Sequence, residues 1–282
     1  MIGHEKNIAN LKGLQERGAL SHGYIFYGPA MVGKKMAALS FANFLEKGEF
    51  VEGGILSDLM LIQPGGEGAG NGSIGIDAVR EIRNFLWQKP NASPRRTLVI
   101  DDAEFLTTEA QNALLKVTEE PPVSSLLILV TSDTESILPT ITSRLPKIYF
   151  GPVPEKEIAK WLEDGGEKKK AAELAKKAMG KPGLAWRLLH DENFKEQLEL
   201  AAKLLKTPAA TRRDVIKKII EPEEFSFRKF LDAVIINLAW READGSGAAR
   251  QSAAMWHKAL QLYGRETNFS LNPRLQLENL LS

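Results

Sequence analysis

The sequence contains no cysteine among its 282 residues. This absence excludes a disulfide framework, a zinc site built from thiolates and a cysteine nucleophile. Long apolar runs are missing too, so no segment is expected to span a bilayer, and the polar start from Met1 to Lys6 is unlike a signal peptide. We therefore expect a soluble, intracellular protein of the cytoplasm that has no membrane partner.

A strong net charge is also absent. The chain has 37 Lys and Arg residues against 36 Asp and Glu residues, which gives a net charge of +1. This balance predicts no strong bulk attraction to nucleic acid, so any DNA contact must come from a local patch or through partners. The apolar fraction of 43% is ordinary for a folded chain, and the length exceeds that of a usual single domain. We expect two or three domains.

A phosphate-binding loop is predicted from Gly28 to Lys34, in the stretch Gly-Pro-Ala-Met-Val-Gly-Lys. The apolar run from Tyr24 to Tyr27 predicts a buried strand before it, and the residues from Met36 to Leu45 predict a helix after it. In such a loop Gly28 and Gly33 let backbone N–H groups surround phosphate oxygens, and Lys34 reaches the outer phosphates. An ordinary glycine-rich turn is the alternative.

The loop departs from the ATP-binding pattern at Lys35. That pattern ends in Ser or Thr, whose hydroxyl coordinates magnesium. A charged lysine has no lone pair to give and repels a metal ion. We therefore predict no metal site in this chain, and we expect ATP with magnesium to bind weakly if it binds at all.

A second candidate site follows the apolar run from Leu98 to Ile100, where Asp101 and Asp102 stand in sequence. In a Walker B strand the first carboxylate holds the magnesium shell and the next residue polarises water. A strand that ends in a polar loop, common in any α/β protein, is the alternative. Asp102 stands where related ATPases usually have glutamate, and its shorter side chain would reposition an activated water. We interpret Glu104 as a surface residue.

Strand and helix patterns alternate through residues 1–150, which predicts an α/β domain with a parallel sheet and helices on both faces. Beyond Gly151 only helical patterns continue. We predict three parts: a P-loop-like α/β domain (1–150), a helical lid (151–192) and a helical collar or oligomerisation domain (193–282). The predicted strands are 24–27, 58–63, 97–100, 126–131 and 147–150. The predicted helices are 4–18, 36–45, 76–87, 107–119, 136–140, 154–163, 168–179, 182–190, 194–206, 212–220, 226–241, 248–264 and 273–280, and residues 65–75 are expected to form a mobile loop.

Several blocks together resemble a known family. They are Gly28–Lys34, Val99–Glu104, Asn112–Lys116 followed by Glu119–Pro122, Leu138–Arg144 and Asn272–Asn279. In this order they are similar to the AAA+ subunits of the bacterial DNA polymerase III clamp loader, most closely to the delta-prime family among them. The resemblance covers nearly the whole chain and implies an AAA+ core, a helical lid and a helical collar.

The resemblance also implies partners and a role for Arg144. Clamp-loader subunits of this family form a pentameric ring with gamma/tau and delta subunits, and the ring uses ATP to place a sliding clamp on primer-template DNA. Arg144 matches the arginine finger that reaches the ATP of the adjacent subunit, where a guanidinium offsets the charge of the transferred phosphoryl group. For an isolated Ser-Arg pair, a surface salt bridge is the alternative.

The sequence differs in two ways from the motor subunits, the clamp-loader subunits that hydrolyse ATP, and both differences concern ATPase activity. Gly183 takes the place of the lid arginine that senses phosphate, as in delta-prime proteins, and the four-cysteine zinc module is missing. With Lys35, these favour a stator-like subunit with little or no ATPase activity of its own. The alternatives are an ATP-hydrolysing gamma/tau-like motor subunit that uses Lys34, Asp101 and Asp102, and another AAA+ protein such as a helicase loader or a DNA-repair ATPase.

Overall fold

The structure is a computed structural model that describes residues 1–51, 53–65, 73–222, 225–243, 255–262 and 272–281. The chain divides into two compact units, Met1–Ala185 and Trp186–Ser282. The boundary between them falls inside a helix, Pro182–His190. The division at residues 150 and 192 that the sequence suggested stays a prediction.

The first unit is built on a parallel sheet whose strands lie in the order β2-β3-β4-β1-β5. Every pairing in this sheet is parallel, as the alternation of strand and helix patterns predicted. The strands are β1 (Gly23–Tyr27), β2 (Leu59–Ile62), β3 (Arg96–Ile100), β4 (Ser125–Thr131) and β5 (Lys147–Tyr149). The helices are α1 (Glu5–Glu16), α2 (Lys34–Lys47), α3 (Ile76–Leu86), α4 (Thr108–Glu119), α5 (Pro139–Thr142), α6 (Glu155–Asp164), α7 (Ala171–Ala178) and α8 (Pro182–His190), and Ala103–Phe105 forms a 3₁₀ turn.

Helices cover both faces of the sheet, as predicted. All seven residues of β4 are buried, and successive side chains point to opposite faces. Ile128 packs in one apolar cluster with Leu11 of α1 and Phe41 of α2. Leu127 packs in the other, with residues of α3 and α4. The continuous apolar run of β4 is therefore explained by burial on two sides.

Most predicted elements are confirmed to within a few residues, and Thr107 caps α4 by accepting the Ala110 N–H at 3.2 Å. The helix predicted at 136–140 is wrong in position, because α5 begins at Pro139, whose fixed φ suits the first helical residue. The helix predicted from residue 168 begins only at Ala171. Most of the predicted loop at 65–75 lies outside the described residues, as do residues 248–254 and 263–264 of the predicted helix at 248–264.

The described part of the second unit is entirely helical outside its connections. Its helices are α9 (Glu192–Lys206), α10 (Ala209–Ile220), α11 (Phe227–Ala243), α12 (255–262) and α13 (Pro273–Leu280). The buried Asn237 of α11 donates to the Leu198 carbonyl of α9 at 3.0 Å. Arg212 of α10 donates to the Leu281 carbonyl, just beyond α13. In the ranges that the structure describes, no helix combines the length and apolarity needed to cross a membrane.

A buried carboxylate, Asp58, organises the turn that leads into β3. Its side chain is almost fully buried and accepts the backbone N–H groups of Asn91, Ala92 and Ser93 at 2.7–2.9 Å. Burial by itself raises the pKa of Asp58. The three N–H groups and the nearby Arg96 guanidinium outweigh that effect, so the net pKa lies below its usual value.

Substituting Asp58→Ala should lower the free energy of unfolding by about 3 kcal/mol, because three backbone N–H groups lose a buried, charged acceptor. Since the folded pKa is lowered, the carboxylate's contribution is full above the unfolded pKa and is lost as the pH falls through the folded pKa. Urea denaturation between pH 2.5 and 7 measures both effects. Asp77→Ala, which removes an exposed partner of Arg80, is the control; equal losses in the two variants would contradict this role.

Candidate functional site

The predicted phosphate-binding loop lies at the carboxyl end of β1, where the polar residues that follow β3 and β4 also converge. Gly28 has a φ of +140°, and a Cβ placed there would lie 2.1 Å from the Phe150 carbonyl oxygen. Gly33, with a φ of +107°, is the N-cap of α2. Both positions therefore require glycine for a backbone reason, whether or not the loop holds a phosphate.

Lys34 is buried and turns back onto its own loop. Its ammonium donates to the carbonyls of Gly28 at 2.7 Å and Pro29 at 2.6 Å, and to the Ser132 hydroxyl at 3.3 Å. Burial lowers its pKa to about 8, against the opposing effect of Glu104, Asp102 and Asp101. The ammonium is thus mostly charged at neutral pH, and the loop's own carbonyls solvate it.

Lys35 contacts the first Walker B carboxylate. Its ammonium lies 3.1 Å from Asp101 Oδ2 and donates to Gln63 Oε1 at 2.6 Å. Magnesium does not fit this set of residues, because the hydroxyl ligand is missing and Asp101 already has a cationic partner. A dication about 4 Å from the Lys35 ammonium would be repelled by roughly 8 kcal/mol at an effective dielectric of about 20. Lys35 would therefore have to leave before a metal could enter.

Two segments distant in sequence bind two further carbonyls of the loop. The His4 Nε2 atom donates to the Val32 carbonyl at 2.8 Å, and its buried ring packs edge-on against Phe150. The Gly183 N–H donates to the Met31 carbonyl at 2.9 Å. A Cβ on Gly183 would lie 3.0 Å from that carbonyl oxygen, so a larger side chain requires the loop or α8 to shift. Both contacts therefore tie the loop to other segments of the first unit.

Three polar residues near the loop were not assigned to it from the sequence. Ser132 follows β4 directly and Gln63 follows β2 directly, and a polar residue just after a buried parallel strand is a signal that could have identified both. Glu104 is partly exposed, in line with its interpretation as a surface residue, but it also accepts the Ser132 N–H at 3.3–3.4 Å and acts on the pKa of Lys34. Asp102 is exposed, with a left-handed φ of +49°, and begins the 3₁₀ turn.

Arg144 lies near the amino end of β1, at the end of the sheet opposite the loop. Two residues further on, the Pro146 carbonyl accepts the Ile25 N–H, and Leu145 lies against Gly23, the first residue of β1. The loop begins after the last residue of β1, about 13 Å further along the strand at a rise of about 3.3 Å per residue. Arg144 therefore cannot reach the loop of its own chain.

The Arg144 side chain is partly exposed and held by two acceptors. One guanidinium nitrogen donates to the Thr140 carbonyl at 2.6 Å, and the other lies 2.9 Å from Glu119 Oε1. The predicted site residues thus form two groups: Gly28, Gly33, Lys34 and Asp101 with Asp102 near one end of the strands, and Arg144 near the other. Within the described ranges, no group of three acidic or histidine side chains is arranged to hold a metal ion.

Comparisons with known proteins agree with this architecture. A family profile described as "DNA polymerase III, delta subunit" matches residues 3–154. The chain is 34% identical over 137 residues to the DNA polymerase III subunit delta-prime of Escherichia coli, a match that covers 48% of this chain and 41% of that relative. It is 31% identical over 170 residues to the subunit gamma/tau of Mycobacterium tuberculosis, covering 56% of this chain and 29% of the relative.

A solved structure shows the fold over nearly the full length. The crystal structure of a DNA polymerase III gamma subunit-related protein from Thermotoga maritima superposes with a TM-score of 0.60 at 20% identity, covering 96% of this chain and 97% of the other. The two relatives above are longer, and the chain spans less than half of either. Because the delta-subunit profile covers more than half of the chain and a delta-prime relative aligns with it, the chain belongs to the DNA polymerase III delta-subunit family and is of the delta-prime type.

Proposed function

We propose that this chain is a non-motor, stator-like subunit of the DNA polymerase III clamp loader. It helps to load the sliding clamp onto primed DNA and donates Arg144 to the ATP site of a neighbouring subunit. The observation that carries the non-motor role is the contact between Lys35 and Asp101 at 3.1 Å. An ammonium stands beside the carboxylate that an ATPase uses for its magnesium shell, so the chain lacks the metal centre of a working phosphoryl-transfer site.

The position of Arg144 supports action on a neighbour. The Arg144 side chain is partly exposed, and the length of β1 separates it from the loop of its own chain. A guanidinium binds phosphate oxygens through two parallel N–H groups and stays charged at all relevant pH values. Such a group can stabilise phosphoryl transfer only in a site that another subunit brings to it.

The proposed partners follow from this role. They are gamma/tau and delta subunits in a pentameric ring, the sliding clamp, and primer-template DNA bound through the assembled complex, in the cytoplasm. In this proposal residues 1–150 form the AAA+ core, 151–192 the lid and 193–282 the collar. The relatives named as DNA polymerase III subunits support the proposal that other subunits of that assembly are partners.

An ATP-hydrolysing, gamma/tau-like motor subunit is the second candidate. The match to a gamma/tau subunit favours it, as does the cluster of Lys34, Asp101 and Asp102 around the loop. For this chain to hydrolyse ATP, Lys35 would have to release Asp101, and Lys34 would have to leave the loop carbonyls.

Substituting Arg144→Ala should lower the ATP turnover of the assembled, DNA-stimulated loader by about tenfold or more, because the transition state loses a cation in the neighbouring site. The measurement is steady-state ATPase activity of the complete complex with clamp and primed DNA. Size-exclusion chromatography of the same sample checks that the ring still assembles.

Two variants serve as controls for this substitution. Arg144→Lys keeps the charge but not the planar fork, so it should restore only part of the turnover. Arg80→Ala removes a more exposed arginine that also pairs with a carboxylate, Asp77, and it should leave turnover unchanged. An Arg144→Ala loader with full turnover would refute the proposed role in trans.

Substituting Lys35→Ser should make nucleotide binding depend on magnesium, because it restores the hydroxyl ligand and frees Asp101. Titration with a fluorescent ATP analogue should show an affinity at least about tenfold higher in magnesium than in EDTA for this variant. The wild-type chain should gain nothing from magnesium. Lys35→Met, which removes the cation without supplying a ligand, is the matched control. Magnesium-dependent binding with hydrolysis by the wild-type chain would instead establish the motor role.

A further inference from the structure

We infer that Glu119 is a resting partner of Arg144: it holds the guanidinium in the free chain and is displaced when a neighbour's phosphate arrives. This inference rests on the proposed function of Arg144. The carboxylate lies 2.9 Å from the guanidinium, and the two residues are 25 positions apart in sequence. Glu119 is the last residue of α4, and both side chains lie at the end of the sheet opposite the loop.

The position of Glu119 at the end of α4 is unfavourable for its charge. It stands at the C-terminus of a helix, where the helix dipole disfavours a negative charge. Its side chain is 48% exposed and that of Arg144 is 37% exposed, and ion pairs as exposed as this are weak. At 2.9 Å the contact orients the Arg144 guanidinium. Because the pair is weak, an approaching phosphate can displace the Glu119 carboxylate.

Glu119 and a phosphate compete for the same charge. While the carboxylate is in contact, it offsets the positive charge of Arg144 and repels an approaching phosphate. The Thr140 carbonyl, 2.6 Å from the other guanidinium nitrogen, is neutral and can remain bound. Release of Glu119 then leaves an anchored guanidinium with free N–H groups for the fork-like contact to phosphate oxygens.

The contact itself can be tested on the isolated chain by reaction with p-hydroxyphenylglyoxal, which modifies arginine. The Glu119 carboxylate covers one guanidinium nitrogen, so Glu119→Gln should loosen this contact and speed modification of Arg144 about two- to fivefold. Mass spectrometry of the Arg144 peptide gives the rate, with Arg80 as the internal reference. Glu120→Gln, at the adjacent exposed position, is the matched control and should change nothing. An unchanged rate in Glu119→Gln would refute the resting contact.

Competition with phosphate is tested in the assembled loader. Glu119→Gln should raise kcat/KM for ATP about two- to fivefold, and the double variant with Arg144→Ala should match Arg144→Ala alone. A lower kcat/KM in Glu119→Gln would mean that Glu119 positions the finger, and it would overturn the proposed displacement. Failure of the proposed function appears separately, as full turnover with Arg144→Ala, and the modification rates then still decide whether the contact exists.

Discussion

The ion pair between Lys35 and Asp101 is the interaction on which the chemistry of this chain depends. Around the loop, Lys34 and Lys35 face Asp101, Asp102 and Glu104, so the acidic charges have cationic partners supplied by the chain itself. An ATPase leaves that charge unbalanced so that magnesium and nucleotide can complete it. Here Lys35, a lysine in place of a hydroxyl, offsets the charge of Asp101, the carboxylate in contact with it. The loop geometry of a nucleotide-binding domain is thereby combined with a set of residues that does not fit magnesium.

The parallel sheet determines how the two candidate groups are used. Because all strands are parallel, every loop that follows a strand lies at the carboxyl ends of the strands. The segment that leads into β5 lies at their amino ends. Arg144 is attached to the amino ends through α5 and β5, while Lys34 and Asp101 are attached to the carboxyl ends. In this topology Arg144 and the loop lie at opposite ends of the strands. Each is therefore open to contact with another molecule, but the two cannot contact each other within one chain.

The sequence predicted the sheet well because its signals are local. The apolar runs of β1, β3 and β4 and the cap at Thr107 depend on neighbouring residues, and so does the chemical unsuitability of Lys35 as a metal ligand. Contacts that join distant positions were not predictable in this way. No periodicity indicates that His4 binds the Val32 carbonyl or that Glu119 meets Arg144, since both contacts depend on how separate elements pack. The position of α5 was misjudged because the stretch before Pro139 resembles a helix only in composition.

The hydrogen bonds that His4 and Gly183 make to the loop have a consequence for stability. A protein that binds a ligand only in its folded state gains free energy that grows with the logarithm of ligand concentration. Hydrogen bonds made within the chain carry no such dependence on ligand concentration. The contacts of His4 and Gly183 therefore contribute to the order of the loop at every concentration of ligand.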